Sequence, residues 1–128
     1  MLKSLLFIFC LSILYGFIQP NPGKGIQWDK TEVNFDTIDQ GMKLRTRFTC
    51  YNRSDSSLVF ENLIASCGCI ASRWQKTPIM PGDSSVITVD FDTKGKSGRQ
   101  HRIIAVYSNQ GLFELNSFAF VEKKGISK

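Results

Sequence analysis

The chain has little of what catalytic sites are usually assembled from. It holds one histidine, His101, and four cysteines in 128 residues, and only Cys67 and Cys69 are close in sequence. No Ser/His/Asp or Cys/His grouping can be read locally, so a general base other than His101 would have to be a carboxylate. His101 stands beside Arg102 in a stretch of strand character, where a lone histidine is first of all a surface residue. There is no second CxC or CxxC pair, which argues against a structural zinc site, since zinc needs four ligands. Like charge does not cluster either. The formal net charge is +5, but it is scattered over residues such as Arg45, Arg47, Arg99, Arg102, Lys123 and Lys124. That is the pattern of solvated strand faces, not of a nucleic-acid surface. Beyond residue 25 the chain lacks a long amphipathic helix, an internal repeat and a low-complexity linker.

One long apolar run is present, at the N-terminus. MLKSLLFIFCLSILYGFIQP has a single charge, Lys3, followed by an uncharged apolar stretch from Leu5 to Ile18. This is the layout of a secretory signal, and the run is short for a spanning helix. Residues 1–20 are therefore expected to be a signal peptide or, if uncleaved, an N-terminal anchor. The small-residue cleavage pattern is weak around Leu14-Tyr15-Gly16. Cys10 follows Phe7-Ile8-Phe9, not the small residues of a lipoprotein signal, and is read as a bystander. The expected location is the periplasm or cell envelope, with membrane contact only through this segment. The remainder is long enough for one modest core.

Past the leader the hydrophobicity alternates with a period of two, interrupted by turn residues. Gln27-Trp28 and Val33-Asn34-Phe35 form a first strand region. From Met42 to Tyr51, the residues Met42, Leu44, Thr46, Phe48 and Cys50 share one face, and Lys43, Arg45, Arg47, Thr49 and Tyr51 the other. A half-buried strand has this pattern. Further strands are expected from Leu58 to Ile64, Val86 to Phe91, His101 to Tyr107 and Leu112 to Val121. Ile87, Val89 and Phe91 share one face of theirs. About seven short strands with turns between them predict an all-β, immunoglobulin-like sandwich, with a β-barrel as the alternative. Two packed sheets would bury the alternate residues of their inner faces.

Several segments together resemble one family. They are Val33-Asn34-Phe35-Asp36-Thr37-Ile38 with Gly41, the strand into Asn52, Ser66-Cys67-Gly68-Cys69 and Pro78-Ile79-Met80-Pro81-Gly82. The series continues with Phe91-Asp92-Thr93-Lys94-Gly95-Lys96, then Gly98, and Val106-Tyr107-Ser108-Asn109. In this order and spacing they resemble the bacterial domain of unknown function 1573, abundant in exported proteins of the Bacteroidetes and similar to hydin-like immunoglobulin domains. The resemblance covers roughly residues 28–121, the expected domain. It implies an immunoglobulin-like sandwich and export, and no activity. Gly68, Pro81, Gly82, Asp92, Gly95 and Gly98 are its structural motif positions. Ile70 and Ala119 stand where the family often has threonine and glycine.

Chemistry, if there is any, falls on Cys67-Gly68-Cys69. A disulfide between residues two apart closes a very small ring, and extended backbone leaves their Cα atoms at the edge of what a disulfide tolerates. A bend at Gly68 with positive φ would bring them closer. Such a bond would be labile, which suits a redox pair. Two thiolates would also suit copper(I). The plainer reading is a tight corner between the sheets, with one of the pair free to bridge to Cys50. Three mature cysteines would leave one unpaired. Asp90 and Asp92 with Gly95 hint at a calcium loop. Lys94, Lys96 and the missing closing glutamate argue instead for a hairpin turn. Asn52-Arg53-Ser54 fits the glycosylation pattern of a eukaryotic secretory host. Phe118 and Phe120 oppose Leu115, Ser117 and Ala119; burial is favoured over an adhesive exposed face.

The sequence therefore predicts an exported, non-catalytic, cofactor-free module of the bacterial cell envelope, structural or binding an unknown protein partner. The alternative is a thiol-redox or copper-binding protein using Cys67 and Cys69.

Overall fold

A computed structural model describes residues 25–123. The expected signal segment, with Cys10, lies outside these residues. Eight strands form two four-stranded sheets, and there is no helix among the described residues. The first sheet runs β1 (Ile26–Trp28), β3 (Lys43–Asn52), β6 (Ser84–Asp92), β5 (Ile70–Arg73). The second runs β2 (Glu32–Asp39), β8 (Gly111–Glu122), β7 (Gly98–Ser108), β4 (Phe60–Ala65). All neighbours are antiparallel except β2 and β8, which run parallel.

The core follows from the alternation. On β3, Phe48 and Cys50 point inward. Ile87, Val89 and Phe91 do so on β6, and Ile104, Val106 and Leu115 on β7 and β8. Their side chains meet between the sheets with Leu58, Phe60 and Ile79. Period-two patterning can do this only if register holds, since a slip of one residue would turn every inward side chain to water.

Four expectations change. First, Gln27-Trp28 and Val33-Asn34-Phe35 belong to different strands in different sheets, because the chain crosses over at residues 29–31. Second, β5 is an additional strand directly after Cys69, too short to show a period. Third, the strand expected from Leu58 begins at Phe60, and Leu58 instead makes an isolated bridge to Ile79. Fourth, the 92–98 stretch is no hairpin. It carries the chain from β6 in one sheet to β7 in the other.

The expected burial of Phe118 and Phe120 is overturned for Phe120, which is 44% exposed. Nothing covers the outer face of the second sheet among the described residues. Phe118 is half-buried because the His101 ring stacks on it at 4.4 Å.

Asn52 closes β3 and is fully buried. Its Nδ2 donates to the carbonyls of Ser56 (2.9 Å) and Ile79 (2.8 Å), and its Oδ1 accepts from Ser54 N (3.0 Å) and Ser54 Oγ (2.6 Å). With both amide hydrogens engaged and no exposure, the glycosylation reading of Asn52-Arg53-Ser54 does not fit the folded chain. Next to it, Met80-Pro81-Gly82-Asp83 forms a turn closed by Asp83 N to Met80 O (3.0 Å). Pro81 supplies its fixed φ, and Gly82 takes φ 87°, as a type II turn requires. Gly82 N also donates to Asn52 O at 2.7 Å, which fixes this turn to the end of β3.

Candidate functional site

The opposite end of the sandwich gathers the remaining motif positions. Ser66–Cys69 connects β4 of the second sheet to β5 of the first. Cys67 and Cys69 are joined by a disulfide, with Cα atoms 5.3 Å apart. Gly68 achieves this without positive φ, contrary to the expected bend, and a Cβ there would meet nothing within 4 Å. The contraction comes from an ordinary turn, in which Ile70 N approaches Cys67 O at 3.4 Å. A glycine is thus not sterically required at position 68.

The ring is tied to its surroundings by backbone. Asp92 N donates to Cys69 O (3.0 Å), so the corner is fixed to the last residue of β6. From there the crossover turns at once. Asp92 Oδ1 accepts from Lys94 N (2.9 Å), and Lys96 N donates to Thr93 O (3.0 Å) around Gly95, whose φ is 72°. That left-handed conformation is strained for any residue with a Cβ. Thr93 is fully buried, and its Oγ1 donates to Met42 O at 2.7 Å. Gln40 Nε2 donates to Lys96 O at 2.8 Å. The β2–β3 turn, the cysteine corner and the crossover are therefore one hydrogen-bonded unit. Of the motif positions, Cys67, Gly68, Cys69, Asp92, Gly95 and Gly98 belong to this end, while Pro81 and Gly82 lie at the other.

Between these loops opens a cleft of about 780 Å³, bordered by Gly68, Cys69 and Ala71 and by the charged residues Lys43, Arg45, Asp90, Asp92, Lys94 and Lys96. Asp90 is committed internally. It receives Arg45 Nε (2.7 Å), Arg45 Nη2 (3.0 Å) and Arg73 Nη2 (3.1 Å). The Arg45 hydrogen bond holds its carboxyl below the usual carboxylate range, with help from the charges of Arg73 and Lys43. Lys94 and Lys96 have no carboxylate partner among the described residues. The cleft is therefore net cationic beside a partly exposed disulfide. Sequence reading singled out the cysteines but not the lysines, which it treated only as an obstacle to calcium. Their spacing alone could not show that the crossover folds back on the cysteine corner.

The other candidate groups lie elsewhere. Cys50 is a free, fully buried thiol in the core, so the expected bridge from Cys67 or Cys69 to Cys50 is not formed. Burial pushes its pKa up to about 12. Folding thus favours the protonated thiol, and this contribution to stability is present below about pH 9 and is lost as pH rises towards about 12. Cys50 should resist iodoacetamide in the native protein at mildly alkaline pH and label fully in denaturant. Native labelling at the unfolded rate would contradict its burial. His101 is on the outer face of the second sheet, with Nε2 2.8 Å from Asn116 Oδ1. It does not border the cleft. No group of three or more His, Cys, Asp or Glu is placed to hold a metal among the described residues.

Two sheets in this order, with a parallel pairing at the second sheet's edge, define an immunoglobulin-like β-sandwich. The chain belongs to the family described as protein of unknown function DUF1573, which matches residues 26–116. No curated protein matches the chain. Among solved structures it is similar to a protein of unknown function from Porphyromonas gingivalis W83, with TM-score 0.65, 14% identity, and coverage of 82% of this chain and 51% of that one. It is also similar to the ASH/PapD-like domain 7 of human CEP192, with TM-score 0.65, 7% identity, and coverage of 84% and 92%. A third similar structure is the secreted serine protease VesC from Vibrio cholerae, with TM-score 0.61, 11% identity, and coverage of 87% and 26%. The chain thus spans about half of the Porphyromonas protein and a quarter of the protease. At these identities the likeness concerns the fold alone.

Proposed function

We propose that this chain is an exported, non-catalytic binding module of the bacterial cell envelope, and that it engages a protein partner at the cysteine end of its first sheet. The observation that supports this reading is the open edge of β5. This strand has four residues and, among the described residues, pairs only with β6, so its outer side offers backbone groups without a strand partner beside the cleft. An extended segment of a partner can add to such an edge, with main-chain hydrogen bonds supplying affinity and side-chain pockets specificity. The only histidine is stacked and hydrogen-bonded away from the cleft, which fits a module without acid–base chemistry.

A photocrosslinking residue at Ala71, exposed beside the edge, tests this in the producing bacterium. One discrete adduct from Ala71, absent when the same residue replaces exposed Val86 at the middle of the sheet, is expected. No adduct from Ala71, or the same products from both positions, would refute the edge-binding reading.

A second reading, thiol exchange, is favoured by one observation: the Cys67–Cys69 disulfide is partly exposed at the cleft. Copper(I) fits less well. It would need both sulfurs as thiolates, and the disulfide occupies both.

A further inference from the structure

The cleft treats the two cysteines differently. Cys69 borders it and Cys67 does not. Cys69 N–H lies 3.3 Å from Cys67 Sγ, placed to donate to that sulfur. A nucleophile arriving through the cleft would meet Cys69 first, and the sulfur it displaces, Cys67, already has a backbone donor ready for negative charge. The same cleft is bordered by Lys94 and Lys96, neither paired with a carboxylate among the described residues, and by Lys43. Asp90 does not cancel them, because Arg45 and Arg73 already bond to it. Asp92 turns one oxygen to the backbone of Lys94. The volume, about 780 Å³, is that of a small-molecule site.

We propose that the cleft admits a small thiol carrying negative charge, and that this thiol exchanges with the disulfide by attack on Cys69. This inference rests on the thiol-exchange reading and adds to it the substrate class and the attacked sulfur. In the first step the incoming thiolate bonds to Cys69 Sγ. The Cys67–Cys69 bond breaks, and its electron pair leaves on Cys67 Sγ as thiolate. In the second step another thiolate attacks the small molecule's sulfur in the mixed disulfide and releases Cys69 as thiolate. The two proton equivalents of the incoming thiols pass to the two cysteines. Altogether the protein disulfide gains two electrons, and two small thiols become one small disulfide. The lysines attract the anion and act at close range, where a charge-lined cleft raises the encounter rate.

The test uses three probes of similar size on the oxidised full chain: 2-mercaptoethanesulfonate, 2-mercaptoethanol and cysteamine. Rates of opening are compared at matched thiolate concentration. At low salt the anionic probe is expected to react fastest and the cationic one slowest, with a spread on the order of tenfold. High salt should compress the spread, since screening shortens the reach of the lysines. The K94Q/K96Q double variant should also compress it; both side chains line the open cleft, and the neutral probe's rate serves as the internal control. Equal rates for the three probes, or an unchanged spread in the double variant, would overturn the substrate class. Failure of every probe to open the disulfide would refute the exchange reading itself. The attacked sulfur is read from single-cysteine variants challenged with the disulfide of 2-mercaptoethanesulfonate. The Cys67→Ser variant, which keeps Cys69, is expected to form the adduct faster than Cys69→Ser, and the reverse order would overturn the assignment.

Discussion

Phe48→Ala is expected to lower folding stability by about 3–5 kcal/mol, the range for truncating a fully buried aromatic. Phe48 sits mid-strand on β3, pairs with Ile87 across the first sheet, and has no exposed surface. It belongs to the same buried cluster as Leu58 and Phe60, so both sheets lose contacts at once. Close-packed interiors relax only partly around a deletion, and the residual cavity adds to the lost transfer free energy. Phe120→Ala is the matched control. Phe120 is 44% exposed on the outer face of β8, and its loss should change stability far less. Denaturant unfolding of the two variants measures the difference directly. Similar midpoints would mean that the inward and outward faces have been assigned wrongly.

Asn52→Ala is expected to cost about 2–4 kcal/mol, because each buried group left without a partner costs about 1–3 kcal/mol. Its amide serves the carbonyls of Ser56 and Ile79 and the amide and hydroxyl of Ser54. The effect is local in sequence but wide in consequence. The Ile79 carbonyl also accepts from Leu58 N (2.9 Å), so one residue holds together the turn after β3, the Leu58–Ile79 bridge and the Pro81-Gly82 turn. Asn52→Asp sharpens the test. It retains the acceptor but replaces two donors with oxygen facing carbonyls. At neutral pH it should be less stable than Asn52→Ala. The gap should narrow under acid conditions, as the carboxyl gains a proton and can donate again. Thermal unfolding of the three proteins across pH gives the answer. Wild-type stability in Asn52→Ala would show that water replaces the amide at that site.

Both residues were visible in the sequence, but to different degrees. Phe48 could be assigned to the core from alternation alone, because β3 has a polar partner residue at every second position. Asn52 read as the first residue of a polar turn. Its burial could not be inferred, since it depends on the 78–81 segment returning from a distance to cover it. Phe120 shows the same limit in the opposite sense. Alternation placed Phe118 and Phe120 on a common face correctly, but whether anything lies over that face depends on chain elements that periodicity does not report.

The sequence by itself determined the all-β class, the faces of the long strands and the family. Those follow from local properties: a period of two, turn residues at fixed offsets, and a motif series in a fixed order. Only the tertiary structure decided that β5 follows the corner as an open edge, that residues 92–98 cross between sheets, and that Lys94 and Lys96 border the same cleft as Cys69. These are non-local facts. The crossover's position comes from Asp92 N bonding to Cys69 O and from two bonds to the β2–β3 turn, Thr93 Oγ1 to Met42 O and Gln40 Nε2 to Lys96 O. Such hydrogen bonds join residues twenty to more than fifty positions apart. A pairing at that separation is selected by the packing of two sheets, not by any neighbouring residue.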